Sequence, residues 1–448
     1  MLSFPRSIWF ALLFTAAIFV SIAAVDGPDM IEFSQREIDI IATHLATPII
    51  EHDPTNRFSG NRAAAHLGQF LFFDERFSST GTVSCATCHD PRQAFTDGLA
   101  VAKGVVELDR NSMSLLNVAA NRWFFWDGRA DTLWAQALHP FEDQREFASS
   151  RTAAAIRIAQ DQALRDAYES VFGKLPAILT ETGDRLDPTA RPTAGSSPAQ
   201  QAAHTAWKSM SDGERDAVNE VFVNIGKAIA AYESQLVSIK SPFDRFAKSL
   251  AAGAVAGEVA ADFPPQAQRG LKVFINRGNC RLCHMGPHFT DGEFHNNGIP
   301  ARAGGVPTDP GRFRGVEHVL NLEFKASGPY SDQPAGTAAD RARFLRRTTE
   351  TWGQFKTPTL RNVAATGPYM HAGQMETLSD VLRFYNTLET QIKLGHHQET
   401  LLVPLELTSE ELADLEAFLR SLSGSPIDES LLSQPQSPSM SETDKTVR

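Results

Sequence analysis

Ser84-Cys85-Ala86-Thr87-Cys88-His89 decides how this chain is read. It is a Cys-x-x-Cys-His run, the attachment motif of c-type haem. The two thiols bond to the haem vinyl groups, and the histidine that follows reaches the iron as an axial ligand. The same run recurs at Cys280-Arg281-Leu282-Cys283-His284, and the two copies use all 4 cysteines of the chain. Two copies with no cysteine left over point to two covalent haems. Cys-x-x-Cys pairs also serve four-thiolate zinc sites and redox dithiols. The two pairs lie 195 residues apart, and a zinc site leaves both histidines unexplained. No βαβ pattern beside either run supports a thioredoxin-like site.

Working outward, residues 1–25 carry one positive charge, Arg6, an apolar run from Ile8 to Val20, and then small residues at Ser21, Ala23 and Ala24. This is the layout of a secretory signal peptide, and the apolar run is long enough to serve as an uncleaved anchor instead. Export fits covalent haem attachment, which bacteria carry out beyond the cytoplasm, so a periplasmic protein is expected, soluble or held by its N-terminus. The formal charge of −11 argues against a nucleic-acid partner.

The remaining length suits two domains. The pattern is mainly helical, with helices expected over 34–46, 62–72, 153–172 and 211–238. Residues 174–209, rich in proline with Gly195-Ser196-Ser197, read as a surface insertion. Gly68-Gln69-Phe70-Leu71-Phe72 before the first motif and Gly270-Leu271-Lys272-Val273-Phe274 before the second form a weak internal repeat. The expected architecture is therefore mainly α, with two cytochrome c-like helical domains and one covalent haem in each. The expected division is residues 30–240, then 241–425, with a disordered tail over 426–448.

Further blocks carry a family resemblance. They are Leu71-Phe72-Phe73-Asp74-Glu75-Arg76-Phe77-Ser78, Arg110-Asn111-Ser112, Phe125-Trp126-Asp127-Gly128-Arg129, Thr357-Pro358-Thr359-Leu360-Arg361-Asn362-Val363 and Gly367-Pro368-Tyr369-Met370-His371-Ala372-Gly373. In this order around two haem motifs, over roughly residues 62–423, the chain resembles the bacterial di-haem cytochrome c peroxidases, which include the MauG-type protein-oxidising enzymes.

The resemblance implies a hydrogen-peroxide-using oxidoreductase. It makes the haem of Cys85, Cys88 and His89 the peroxide-reacting one, and that of Cys280, Cys283 and His284 the electron-transfer one. Many relatives cap the first iron with a histidine shortly after the motif. Here no histidine occurs between Asp90 and Leu138. His139 comes next and reads as structural. An open iron position is expected.

Glu146 stands where the family keeps its acid/base, with Glu142 and Asp143 as neighbouring alternatives. Trp126 stands where the family places an indole between the haems. Tyr385 stands where ordinary peroxidases have an axial methionine, as in MauG-type enzymes, with Met370 and Met375 as alternatives. A phenolate ligand lowers the reduction potential that methionine would raise. The family also holds one calcium ion, matched here by the Asn111 side chain and the Thr366 and Pro368 carbonyls, and oxygen ligands suit that cation.

The implied partners are hydrogen peroxide and either a small redox protein (a cytochrome c or cupredoxin) or an oxidised protein substrate. A di-haem electron-transfer cytochrome without peroxide chemistry is the alternative function.

Overall fold

The computed structural model describes residues 31–46, 52–254, 262–393 and 398–440. The expected signal or anchor segment lies outside them. Among the described residues no helix is long and apolar enough to cross a membrane.

The chain is mainly helical. In order it forms α1 (Gln35–Ala42), α2 (Arg62–Phe73), the short α3 of the first haem motif (Cys85–Cys88), α4 (Leu133–Glu142), α5 (Arg151–Gln160), α6 (Gln162–Phe172), α7 (Ala177–Thr182), α8 (Pro198–Ser209) and α9 (Asp212–Glu233). Then come α10 (Pro242–Ala251), α11 (Pro265–Ile275), α12 (Arg312–Asn321), α13 (Thr337–Asp340), α14 (Leu378–Thr387) and α15 (Ser409–Arg420). The one sheet among the described residues pairs β1 (Phe294–His295) antiparallel to β2 (Phe355–Lys356), with Phe294 opposite Lys356.

Side-chain caps set many of these boundaries. Ser34 and Glu37 form a capping box at α1, as Ser211 and Glu214 do at α9. The expected single helix over 153–172 is two, because Asp161 ends α5 and its carboxylate caps α6 by accepting from the Ala163 and Leu164 amides.

Two hydrophobic cores form, one for each haem motif. The first gathers α2, α4, α5, α6 and α9 around Phe72, Trp134, Phe141 and Phe222. The second gathers α10, α11, α14 and α15 around Phe243, Phe274, Phe289 and Phe418. In each, the helix before the motif crosses the last long helix of its domain, α2 against α9 and α11 against α15. The repeat glycines sit at these crossings. A Cβ on Gly68 would overlap the Ala228 carbonyl, and one on Gly270 would overlap the Asp414 carbonyl.

Three expectations are corrected. α1 belongs to the second domain, since Ile41 is buried in that core and Phe33, Ile38 and Leu45 pack against it. Residues 174–209, expected as a surface insertion, carry α7 and α8 and place Leu175, Leu179, Leu186 and Trp207 in the first core. The described part of the expected disordered tail, residues 426–440, is not free of the fold, since Ile427, Leu431 and Leu432 pack on the first core. There the Ser430 and Ser433 carbonyls accept from Gln69, and the Leu431 carbonyl accepts from the Tyr232 hydroxyl.

Alanine ordinarily stabilises a helix by about 1 kcal/mol over glycine. At the two crossings the sign reverses, because backbone must move to admit the methyl group. Gly68→Ala and Gly270→Ala are each expected to lower stability by about 1–3 kcal/mol, the scale of overpacking, in chemical unfolding. An unchanged or raised midpoint would show that the helices do not depend on this approach.

Candidate functional site

The two motifs are built alike. In each, the histidine amide donates to the carbonyl of the first cysteine, His89 to Cys85 and His284 to Cys280, both at 2.9 Å. The imidazole Nδ1 then faces a phenylalanine carbonyl, Phe95 at 3.1 Å and Phe289 at 2.9 Å. A carbonyl only accepts, so Nδ1 carries the proton and Nε2 keeps its lone pair for a metal. Burial lowers the pKa of both imidazoles and so favours the neutral form.

Burial also raises the thiols, Cys88 and Cys280 to about 12 and Cys283 to about 11, so they are poor thiolate ligands as they stand. The pairs belong to different cores, Cys85 to the first and Cys280 to the edge of the second, which removes the four-thiolate zinc reading.

A cavity beside the first motif is lined by Cys85, Cys88, His89, Gln136, Pro140 and Glu146. Glu233, from the last turn of α9, completes it. Glu146 lies on the segment after α4. Its carbonyl accepts from the Val105 amide at 2.9 Å, so the 99–110 loop braces it. Gly104 makes that possible, since a Cβ there would run into the Arg145 carbonyl and the Glu146 Cα.

Burial pushes the Glu146 carboxyl up to about 7. The charge of Asp143 adds to this, while Arg129 and Arg145 oppose it. The two neighbouring acids are engaged elsewhere. Glu142 pairs with Arg151 at 2.9 Å and Asp143 with Arg145 at 3.1 Å. His139 does not line this cavity; it packs edge-on against Phe125 at 5.2 Å. Its buried Nε2 has no hydrogen-bond partner among the described residues.

Trp126 joins the domains. Its indole N–H donates to the Asn111 carbonyl at 3.0 Å, and its own carbonyl accepts from the Lys356 amide of β2 at 2.8 Å. The neighbouring tryptophans are taken up locally. Trp134 donates to the Thr55 hydroxyl at 2.9 Å, and Trp123 lies under Arg312.

Tyr385, on α14, stands close enough to the second motif that the Cys280 and Cys283 thiols bear on its ionisation, and burial pushes its phenol up to about 12. Its hydroxyl accepts from Asn297 at 2.9 Å. Met370 and Met375 lie in the same apolar cluster. The Asn111 amide donates to the His371 carbonyl at 2.8 Å, which brings Asn111 against the strand of chain carrying Thr366 and Pro368. Cys283, Asp291 and His295 also cluster. There His295 bridges Asp291 at 3.0 Å and Glu399 at 2.7 Å, and these hydrogen bonds to carboxylates raise it to about 9.

The halves share a second repeat that the sequence reading passed over. Asn117-Val118-Ala119-Ala120 matches Asn362-Val363-Ala364-Ala365, with both asparagines left-handed at φ 60° and 62°. Phe124 bridges to Ala130 as Tyr369 does to Met375, and both turns contain a left-handed residue, Phe125 or Met370, and a left-handed glycine, Gly128 or Gly373. Thr132 then caps α4 and Thr377 caps α14. Eight residues beyond each threonine stand Pro140 and Tyr385. The position that offers a phenol to the second site offers only a ring without a donor atom to the first.

Both sites fit a haem. Gln136 Oε1 and Glu233 Oε2 are buried without a partner in the first cavity. Lys356, 3% exposed and two residues before the proline whose carbonyl reaches His284, has no ion-pair partner among the described residues. Polar atoms left bare in this way mark the edge of a missing group, and an anionic edge such as a propionate would answer the lysine. None of these four residues, Gln136, Pro140, Glu233 and Lys356, was singled out from the sequence.

Such a pair of sites, in two cytochrome-like helical domains, defines a di-haem c-type oxidoreductase. The sequence profile described as di-haem cytochrome c peroxidase matches residues 62–252. The methylamine utilization protein MauG of Methylorubrum extorquens is 30% identical over 88% of this chain and 87% of its own. The cytochrome-c peroxidase IdrP2 of a Pseudomonas strain is 30% identical over 85% and 86%. The crystal structure of the diheme peroxidase BthA from Burkholderia thailandensis superposes with a TM-score of 0.59 at 24% identity, over 87% of this chain and 92% of that one, and so agrees in fold. The chain belongs to the di-haem cytochrome c peroxidase family and is an oxidoreductase of two c-type haems that acts with peroxide.

Burial pushes Glu233 up to about 8. Its carboxyl keeps its proton in the folded state well above the ordinary glutamate value of about 4.3. Stability is therefore greatest below that ordinary value and falls as pH rises through about 8. Glu233→Gln, always neutral, is expected to gain stability over the parent between about pH 5 and about pH 9 in thermal melts. An equal difference at both pH values would show that Glu233 does not hold its proton.

Proposed function

We propose that the chain takes hydrogen peroxide at the His89 site and exchanges electrons with a protein partner through the His284 site. The observation that carries this reading is the match of Pro140 to Tyr385. With proline at the first position and no histidine in the 99–110 loop, neither of these two places offers a side chain to close the His89 site. A haem bound there supplies an iron able to accept peroxide and be oxidised by it.

Glu146 acts as the acid/base. A base must take the proton from one peroxide oxygen and deliver it to the other, and of the three acids on this segment Glu146 is the one in the cavity. Its raised pKa places proton uptake and release near neutral pH. Pro140 and Phe147 limit the room around it, and Gln136 Oε1 can accept a hydrogen bond there.

Tyr385 would hold the iron of a haem at the His284 site through its phenol oxygen, binding as the phenolate and giving its proton up to solvent. Trp126, bonded to both domains, lies on the route between the sites and passes electrons while keeping its N–H proton on the Asn111 carbonyl. Asn111, Thr366 and Pro368 hold calcium at this junction. The protein is exported to the periplasm. Tyr385 favours MauG-type oxidation of a protein side chain over peroxide removal at the expense of a small cytochrome or cupredoxin.

The fully oxidised protein is expected to show one high-spin and one low-spin ferric signal in electron paramagnetic resonance, both fading on addition of peroxide without prior reduction. Two low-spin signals, with reactivity appearing only after one-electron reduction, would mean that another residue closes the His89 site. Tyr385→Met should raise the reduction potential of the low-spin haem, and an unmoved potential would take Tyr385 off the iron.

Glu146→Gln should slow the peroxide reaction by about 10²-fold, the usual scale of acid–base catalysis. As proton acceptor Glu146 must start as the carboxylate, so the parent's rate should climb as pH rises through about 7. The variant's rate should be flat there. A variant as fast as the parent would assign the proton transfer elsewhere.

A further inference from the structure

Away from both haem sites, a cleft of about 220 Å³ opens on the first domain. Its lining carries three arginines, Arg76, Arg157 and Arg191, with Ser79, Ser149 and Thr189 among its hydroxyl residues. No carboxylate lines it, although the chain carries 53 Asp and Glu against 42 Lys and Arg.

The three guanidinium groups differ in what already satisfies them. Arg76 is neutralised by Asp74 at 2.6 Å and Asp161 at 2.8 Å. The Arg157 side chain is exposed and makes no ion pair or hydrogen bond among the described residues. Arg191 is half-buried and bonds only to carbonyls, Ser149 at 2.9 Å and Thr189 at 3.5 Å. Two positive charges therefore share one concave, carboxylate-free surface, and one of them is partly desolvated. Burial lowers the Arg191 pKa, with the more distant Glu142 opposing. Taking a guanidinium out of water without an anion is unfavourable.

The walls are fixed by the protein itself. The strap at 188–191 belongs to the 174–209 segment, for which the family resemblance gives no role. It is fastened to the start of α5 by the Ser150 hydroxyl donating to the Pro188 carbonyl at 2.6 Å and the Thr152 hydroxyl to the Ala190 carbonyl at 2.9 Å. Arg191 is thus held in place before any ligand arrives, which lowers the ordering cost of binding. Ala153, in the first turn of the ten-residue α5, also lines the cleft. The positive end of that helix adds to the field of the two arginines.

We propose that this cleft is a binding site for a small oxyanion, a phosphate or a dicarboxylate, held by the guanidinium groups of Arg157 and Arg191. Guanidinium forks match both kinds of oxygen pair. The opposite wall, at Ala148 and Ser149, follows directly on Glu146 and Phe147 of the haem cavity, so an anion here would sit behind the segment that carries Glu146.

The test is isothermal titration of the haem-loaded protein with inorganic phosphate and, separately, with succinate, at ionic strength held constant with chloride. Saturable one-to-one binding of either anion is expected, weakened at least tenfold in Arg157→Gln and again in Arg157→Gln/Arg191→Gln. The Arg157 side chain is exposed and makes no ion pair or hydrogen bond among the described residues, so its single variant is expected to keep the fold, and an unchanged Soret band checks this. Binding of phosphate but not succinate identifies a tetrahedral anion as the ligand, and the reverse identifies a dicarboxylate. Neither anion binding above the chloride control, or binding undiminished in both variants, would overturn the proposal.

Discussion

A single hydrogen bond, made twice, governs both sites. Each proximal imidazole donates Nδ1–H to a phenylalanine carbonyl, and each of these phenylalanines is left-handed, at φ 59° for Phe95 and 51° for Phe289. A bulky residue at positive φ costs roughly 1–3 kcal/mol. Aromatic packing holds the conformation in place. Phe95 meets Phe72 of α2 at 6.4 Å, and Phe289 meets Phe274 of α11 at 5.8 Å. The repeat of glycine and phenylalanine in α2 and α11 thus has two linked uses. The glycine lets each helix approach its partner, and the phenylalanine four residues on, along the same face, packs against the residue that fixes the histidine tautomer.

Against that shared frame the domains differ where their chemistry differs. The turn and helix after it are alike in backbone, from Phe124 to α4 and from Tyr369 to α14. The side chains are not. The first domain carries Trp126 and Pro140 where the second carries His371 and Tyr385. His371 stacks on Phe355 at 3.7 Å and 8°, beside Trp126's partner strand, so both turns send an aromatic ring towards the junction of the domains. The acids Glu146 and Glu233 gather at the first cavity, while a buried cation, Lys356, stands nearer the second. On the proposed reading, one frame therefore supports both a proton-handling site and an electron-handling site.

Much of this was legible in the sequence because covalent haem leaves an unmistakable trace. Spacing alone marked Cys85, Cys88, His89, Cys280, Cys283 and His284 as two equivalent groups, and the helical pattern gave α2 nearly to the residue and the start of α9, whose end it placed five residues too late. The second repeat was also there to be read, in the two Asn-Val-Ala-Ala runs. It went unseen because turn residues such as Phe125 and Met370 are chosen for backbone angle, which side-chain chemistry hides. Glu233 and Lys356 were illegible for a different reason. Each lies in an ordinary pattern, a helix end and a short strand, and only burial without an ion-pair partner among the described residues sets them apart. The placement of α1 in the second domain was hidden too, since an amphipathic helix states that it is covered without stating by what.

Trp126 shows how the junction is made rigid, as the proposed electron route requires. Its ring is held through Asn111 of the first domain and its backbone through Lys356 of the second. Around it, Arg110 binds Asp127 at 2.6 Å and reaches across to Asp309 at 2.8 Å. With Arg129 and Arg110 beside it, Asp127 is held far below the usual carboxylate range despite its burial. A charge pair this buried adds little net stability against apolar packing, but breaking one partner leaves the other exposed to the full cost of desolvation. The network therefore penalises any change in the spacing of the domains more than it strengthens either one. Electron transfer between fixed groups depends steeply on that spacing. A polar, mutually dependent junction is the kind of contact that holds such a distance constant, where a greasy interface of equal area could slide.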